Sequence, residues 1–121
     1  VAFVSLQHGT AAKRLAEGHT PFVIRDACST AKDFADTAAI VAGLDLVITV
    51  DTAMAHLAGS MGKPVWVLLA AVPDWRWTLE NDTTPWYPTA RLFRMGRQDS
   101  WAEVMKRVAV ELREFCISRL P

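Results

Sequence analysis

Within six residues, Asp51-Thr52-Ala53-Met54-Ala55-His56, this chain places a carboxylate, a hydroxyl and an imidazole directly after the apolar run Leu46-Val47-Ile48-Thr49-Val50. If a helix starts at Ala53, the amides of its first turn have no partners of their own, and the helix dipole stands behind them. Such a terminus suits a phosphate or diphosphate. Thr52 adds a hydroxyl donor, and His56, one helical turn further on, shares its face and can donate to a phosphate oxygen. Asp51 needs a separate task, because a carboxylate is repelled by a diphosphate. It either caps the helix by accepting amide hydrogen bonds or accepts from sugar hydroxyls beside the phosphate. A packed histidine with no ligand is the competing reading of His56.

These groups are useful only if the backbone holds them. Leu46–Val50 is too short for a helix and too apolar for a half-exposed strand, so it reads as a central strand. The helix from about Ala53 to Met61 carries Ala53, Ala55, Ala58 and Gly59 where larger side chains would hold it off a sheet. Gly62 suits its end, and Lys63-Pro64 leads into a second buried strand, Val65–Leu69. Upstream, Phe3–Leu6 reads as a strand, Ala11–Glu17 as a helix stopped at Gly18, and Phe22–Arg25 as a strand. Asp33 caps a helix to about Ala42, stopped at Gly43. Downstream come a long loop, a short strand and a final helix capped by Asp99 or Ser100. In that helix Trp101, Val104, Met105, Val108, Leu112, Phe115 and Cys116 form an apolar face. The alternation predicts one α/β domain over residues 1–121, with a Rossmann-like parallel sheet and helices on both faces.

The loop from Ala71 to Arg91 gathers Trp75, Trp77, Trp86 and Tyr87 with Pro73, Pro85 and Pro88 at the sheet edge where open α/β sheets bind ligands. Arg76 either supports a ligand's negative charge or pairs with Asp74 or Asp82 while the aromatics plug the sheet. Gln7 and His8 also follow a strand at that edge; His8 reads more simply as exposed loop, and His19 carries no role. Gly59-Ser60-Met61-Gly62 lacks the strand-to-helix nucleophile elbow of hydrolases, and no glycine-rich dinucleotide fingerprint is present.

Thirteen basic and thirteen acidic residues balance to zero, and no basic stripe is visible, which argues against nucleic acid as a partner. The longest apolar run, Val65–Val72, is too short for a bilayer, and no signal-peptide pattern is present. A cytoplasmic location without a membrane span is expected. Cys28 and Cys116 are far apart and lack metal-site spacing, so reduced thiols and no metal site are expected.

Five blocks occur in order with the Trp101 helix after them: FVSLQHG, DFADTAAI at Asp33–Ile40, DLVITVDTAMAHLAGSMGKPVWVLL, PDWRW at Pro73–Trp77 and PWYPTARLFR at Pro85–Arg94. In these blocks the chain resembles the heptosyltransferase-like glycosyltransferases of family 9, particularly relatives found at the end of tetratricopeptide-repeat proteins. The resemblance implies the C-terminal half of a GT-B architecture, two Rossmann-like domains of which this one holds the donor. It implies that Asp51, Thr52 and Ala53 meet the donor's phosphates and sugar, that His56 faces them, and that Arg76 joins the site, while Gln7 is counted as a donor contact from its place at the ligand edge. Lys32–Phe34, Asp33 among them, fall near the nucleobase. Core heptosyltransferases often have glycine where this chain has Ala53.

Val1 already lies in an apolar run, so the chain is expected to begin within a domain, without the family's first strand and without the N-terminal acceptor domain that supplies the catalytic base. No catalytic residue is therefore assigned. The expected function is binding of a nucleotide diphosphate sugar, as substrate and without a cofactor, for inverting transfer to an acceptor hydroxyl. The alternative is a non-catalytic or vestigial module that self-associates, as a homodimer, through an open sheet edge.

Overall fold

A computed structural model describes all of Val1–Pro121, and the chain divides into two compact units, Val1–Gly43 and Leu44–Pro121. In the first, β1 (Phe3–Ser5) and β2 (Ile24–Asp26) pair in parallel, Phe3 opposite Ile24, with α1 (Thr10–Glu17) connecting them. Parallel neighbours need such a crossover. Phe3 and Phe22 pack with ring centroids 4.7 Å apart. α2 (Phe34–Ala42) begins at Asp33, whose carboxylate accepts from the Asp36 amide at 2.9 Å, and ends at Gly43. Both helix boundaries are those expected from the capping residues.

The second unit holds a three-stranded parallel sheet in the order β3 (Val47–Val50), β4 (Val65–Leu69), β5 (Ala90–Arg94). β4 is paired on both edges, with Val65 opposite Val47 on one side and Ala90 on the other. All five of its residues are buried. The sequence reading makes Leu46–Val50 a central strand; in the structure β3 lies at the edge of this sheet, with Ile48 37% and Val50 48% exposed. Hydropathy reports what a strand prefers to bury, whereas its rank in the sheet depends on which partners pair with it.

Because side chains alternate along a strand, Trp66 and Leu68 point to one face of β4 and Val65, Val67 and Leu69 to the other. On the first face α4 (Trp101–Ser118) covers a cluster of Trp66, Leu68, Phe93, Val104 and Val108, bordered by Leu46, Met95, Leu112 and Phe115. Ser100 caps α4 through the Glu103 amide. Trp101 and Met105, placed on its apolar face by spacing, are 44% and 50% exposed. At about 100° per residue Met105 lies just to one side of the stripe Val104–Val108–Leu112–Phe115, whereas Trp101 is in line with it but is the first residue of the helix. Arg91 of β5 stacks over Phe93 at 5.1 Å and binds Glu111 of α4 at 2.6 Å, which holds the Glu111 carboxyl below its ordinary value.

α3 (Ala53–Ser60) packs against β3 and β4. Ala55, Ala58 and Gly59 are its buried residues, so its backbone lies close to the sheet. Gly62, at φ +69°, turns the chain into β4. Parallel strands joined through packed helices give a Rossmann-like α/β architecture, as the alternation of elements predicts. No helix is long and apolar enough to cross a membrane, and both cysteines are free thiols.

Phe93 shares the buried cluster between β4 and α4, so Phe93→Ala is expected to cost about 3–5 kcal/mol, read as a lower urea midpoint with an unchanged slope.

Candidate functional site

The carboxyl end of β3 runs into α3 through Asp51 and Thr52. Thr52 is the N-cap residue in extended geometry, yet its side chain makes no capping bond. Its hydroxyl is 3.2 Å from that of Thr49 instead. Asp51 does not cap α3 either. The first amides of α3 therefore lack intrahelical acceptors and have no side-chain cap, whereas Asp33 and Ser100 cap α2 and α4. Asp51, Thr52 and Ala53 are all exposed, so that turn is open.

His56 lies one turn into α3. Its Nε2 is 4.0 Å from Asp51 Oδ1, and the two side chains are 36% and 37% exposed. At 4.0 Å the pair is too long for a hydrogen bond. The other ring nitrogen, Nδ1, is 2.8 Å from the Tyr87 hydroxyl. Trp77 stacks on the imidazole with centroids 5.3 Å apart and planes 22° from parallel. Trp77 is wholly buried, and its indole N–H has no acceptor, a cost of about 1–3 kcal/mol that its packing must offset.

The aromatic loop divides its residues between two jobs. Trp77, in the short 3-10 turn Trp75–Trp77, and Tyr87 close around His56, while Trp75 and Trp86 are 71% and 58% exposed. Arg94 of β5 holds this turn in place. Its Nε donates to the Asn81 carbonyl at 2.8 Å, Nη1 to the Thr78 carbonyl at 2.9 Å and Nη2 to the Trp77 carbonyl. Burial lowers the Arg94 guanidinium from its ordinary value. Thr78, at φ +58°, is in the left-handed region, a strained conformation for a threonine that these bonds help to hold.

Of the residues singled out in the sequence, the structure gathers Asp51, Thr52, Ala53 and His56 at one strand–helix junction. Arg76 turns to Asp74, with Nη1 3.0 Å from Oδ1, and its guanidinium lies 5.0 Å over Trp75. Gln7 and Asp33 belong to the first unit. Gln7 is exposed just after β1, its amide donating to Ser5 Oγ at 3.2 Å, and Asp33 is the cap of α2. Sequence reasoning missed the partnership of Tyr87 with His56, thirty-one positions apart. The signal was present in Gly59, a glycine inside a helix: a Cβ there would lie 2.5 Å from Tyr87 Cγ.

Parallel strands joined through helices, with an open helix terminus at the carboxyl edge of the sheet where such folds bind ligands, make this a Rossmann-like domain. The family model for glycosyltransferase family 9 (heptosyltransferase) matches residues 7–111, and the chain belongs to that family. It is 34% identical over 123 residues to Protein FlbA of Caulobacter vibrioides (strain ATCC 19089 / CIP 103742 / CB 15), an alignment spanning 98% of this chain and 20% of that protein. The chain thus covers about a fifth of the length of this curated relative. No solved structure matches it significantly.

Arg94→Met is expected to leave the three loop carbonyls without their donor. Amide hydrogen exchange across residues 77–82 should then accelerate by about tenfold or more, since hydrogen bonds to a charged group contribute about 1.5–3 kcal/mol, while the amides of β4 keep their protection.

Proposed function

We propose that the β3–α3 junction binds the diphosphate and sugar of a nucleotide diphosphate sugar, and that this chain is the donor-binding part of an inverting glycosyltransferase. The observation that carries the reading is the uncapped first turn of α3 with Asp51 and His56 beside it, in a chain of glycosyltransferase family 9. In this reading the amides of Ala53 and Met54 and the Thr52 hydroxyl meet the diphosphate, His56 Nε2–H donates to one of its oxygens, and Asp51 turns to the sugar hydroxyls.

The chemistry asked of these groups is electrostatic. As an acceptor hydroxyl bonds to the anomeric carbon and the bond to the diphosphate breaks, negative charge grows on the leaving group. Donors already in place stabilise that charge without reorganising. Arg76 joins them by exchanging Asp74 for the ligand; the pair is about half exposed, and exposed ion pairs are weak enough to be given up. The base that accepts the acceptor's proton is assigned to an acceptor-binding domain and not to a residue of this junction.

Titration of the labelled protein with ADP, GDP, UDP and their sugar conjugates, followed by amide NMR, is expected to give saturable shifts at Thr52, Ala53 and His56. His56→Ala should weaken binding by about tenfold or more in a domain that stays folded. An absence of saturable shifts with every nucleotide would sink the reading.

A second reading rests on β3. Ile48 and Val50 are exposed on a strand paired only with β4, and an apolar open edge is a site for strand addition. Pairing of that edge with a second copy predicts a dimer whose mass, by light scattering across a concentration series, reverts to monomer in Ile48→Lys. A monomer at every concentration would exclude it.

A further inference from the structure

His56 is held on three sides, and its neighbours decide which ring nitrogen carries the proton. We propose that Tyr87 is a positioning residue for His56: its hydroxyl donates to Nδ1, fixes the imidazole proton on Nε2, and so presents an N–H on the ligand side of the junction. The consequence for binding rests on the donor-site reading above, whereas the tautomer can be tested without any ligand.

Two contacts agree on the direction of this bond. A neutral imidazole has one donor and one acceptor nitrogen. Nε2 lies 4.0 Å from Asp51 Oδ1, and a carboxylate offers only lone pairs, so a proton on Nε2 is attracted to it and a lone pair there would be repelled. Nδ1 is then the acceptor, and at 2.8 Å the Tyr87 hydroxyl is its donor. Because the distance to Asp51 exceeds a hydrogen bond, the Nε2–H is aimed by the carboxylate without being consumed by it. With His56 36% exposed, a ligand oxygen can still reach it.

Gly59 makes this geometry possible. It lies three residues beyond His56, on the same face of α3, and a Cβ there would fall 2.5 Å from Tyr87 Cγ and 2.8 Å from both Cδ atoms. The Tyr87 ring therefore rests on the bare backbone of Gly59, which sets its hydroxyl at the height of residue 56. Glycine is a poor helix former, and here its missing side chain is the seat of the ring. Trp77, stacked on the imidazole, prevents the ring from turning over and exchanging its nitrogens.

The test reads the ring-nitrogen NMR shifts of His56, assigned with His56→Ala, in the ligand-free chain at alkaline pH, where imidazoles are neutral. Wild type is expected to show a protonated Nε2 and an unprotonated, hydrogen-bonded Nδ1. Tyr87→Phe, which keeps the ring, and Gly59→Ala, which keeps the hydroxyl but displaces it, should both give mixed tautomers. Each should weaken inorganic pyrophosphate binding by about threefold to tenfold, the range for one hydrogen bond. A proton on Nδ1 in wild type, or an unchanged tautomer in a folded Tyr87→Phe, overturns the proposal. Failure of wild type to bind pyrophosphate while showing the expected tautomer would instead count against the donor-site reading and leave the hold of Tyr87 on His56 standing.

Discussion

Burial of β4 organises the second unit. All five of its residues are withdrawn from water, and every backbone polar group on such a strand must find a partner, since an unpaired one costs as much as a lost hydrogen bond. β3 and β5 supply those partners along its two edges. Its two faces ask for different covers. Trp66 and Leu68 need a long apolar stripe, which α4 provides, and Val65, Val67 and Leu69 need a close neighbour. Only a helix of small residues can come that near, and α3, with Ala55, Ala58 and Gly59 inward, is such a helix. The β3–α3 junction is therefore placed by the packing of a strand that contributes nothing to the site directly.

The same small residues serve two ends. Ala55 and Ala58 let α3 approach the sheet, and Gly59 lets an aromatic ring approach α3. What reaches the helix through that gap is the loop between β4 and β5, fastened at its base by Arg94. Trp77 and Tyr87 thus arrive beside His56 from a segment with little regular structure. A rigid sheet, a close helix and an anchored loop make a site in which the imidazole has few ways to turn. Preorganisation of this sort matters for a group whose proposed work is to meet growing negative charge, because a donor that must first reorient has part of its effect cancelled.

Family membership and site geometry bear on different questions. The match places the chain in glycosyltransferase family 9 and with it the kind of fold. The geometry shows which of this chain's own residues lie together, and it separates them. Asp51, Thr52, Ala53 and His56 share one junction, while Arg76 is turned to Asp74 and Trp75, an arrangement that must change before it can serve a ligand.

Much of this was legible in the sequence because it is local. Asp33 and Gly43 bound α2, Gly62 ends the turn after α3, and the run Val65–Leu69 is a buried strand; each follows from the chemistry of residues a few positions apart. The Asp51–His56 constellation was legible for the same reason, since a helical turn sets residues four places apart, such as Thr52 and His56, on one face. What lay beyond it was decided by contacts between distant segments. The edge position of β3 depends on which strands pair with it, the exposure of Trp101 and Met105 on which turns and which arc of α4 meet Trp66 and Phe93, and the division of the aromatic loop on which rings fit against Gly59 and His56. The sequence determined which elements form and which groups could do chemistry; the tertiary structure decided which nitrogen of His56 is engaged and by whom, because hydrogen bonding and close packing depend on ångström distances that composition and periodicity do not encode.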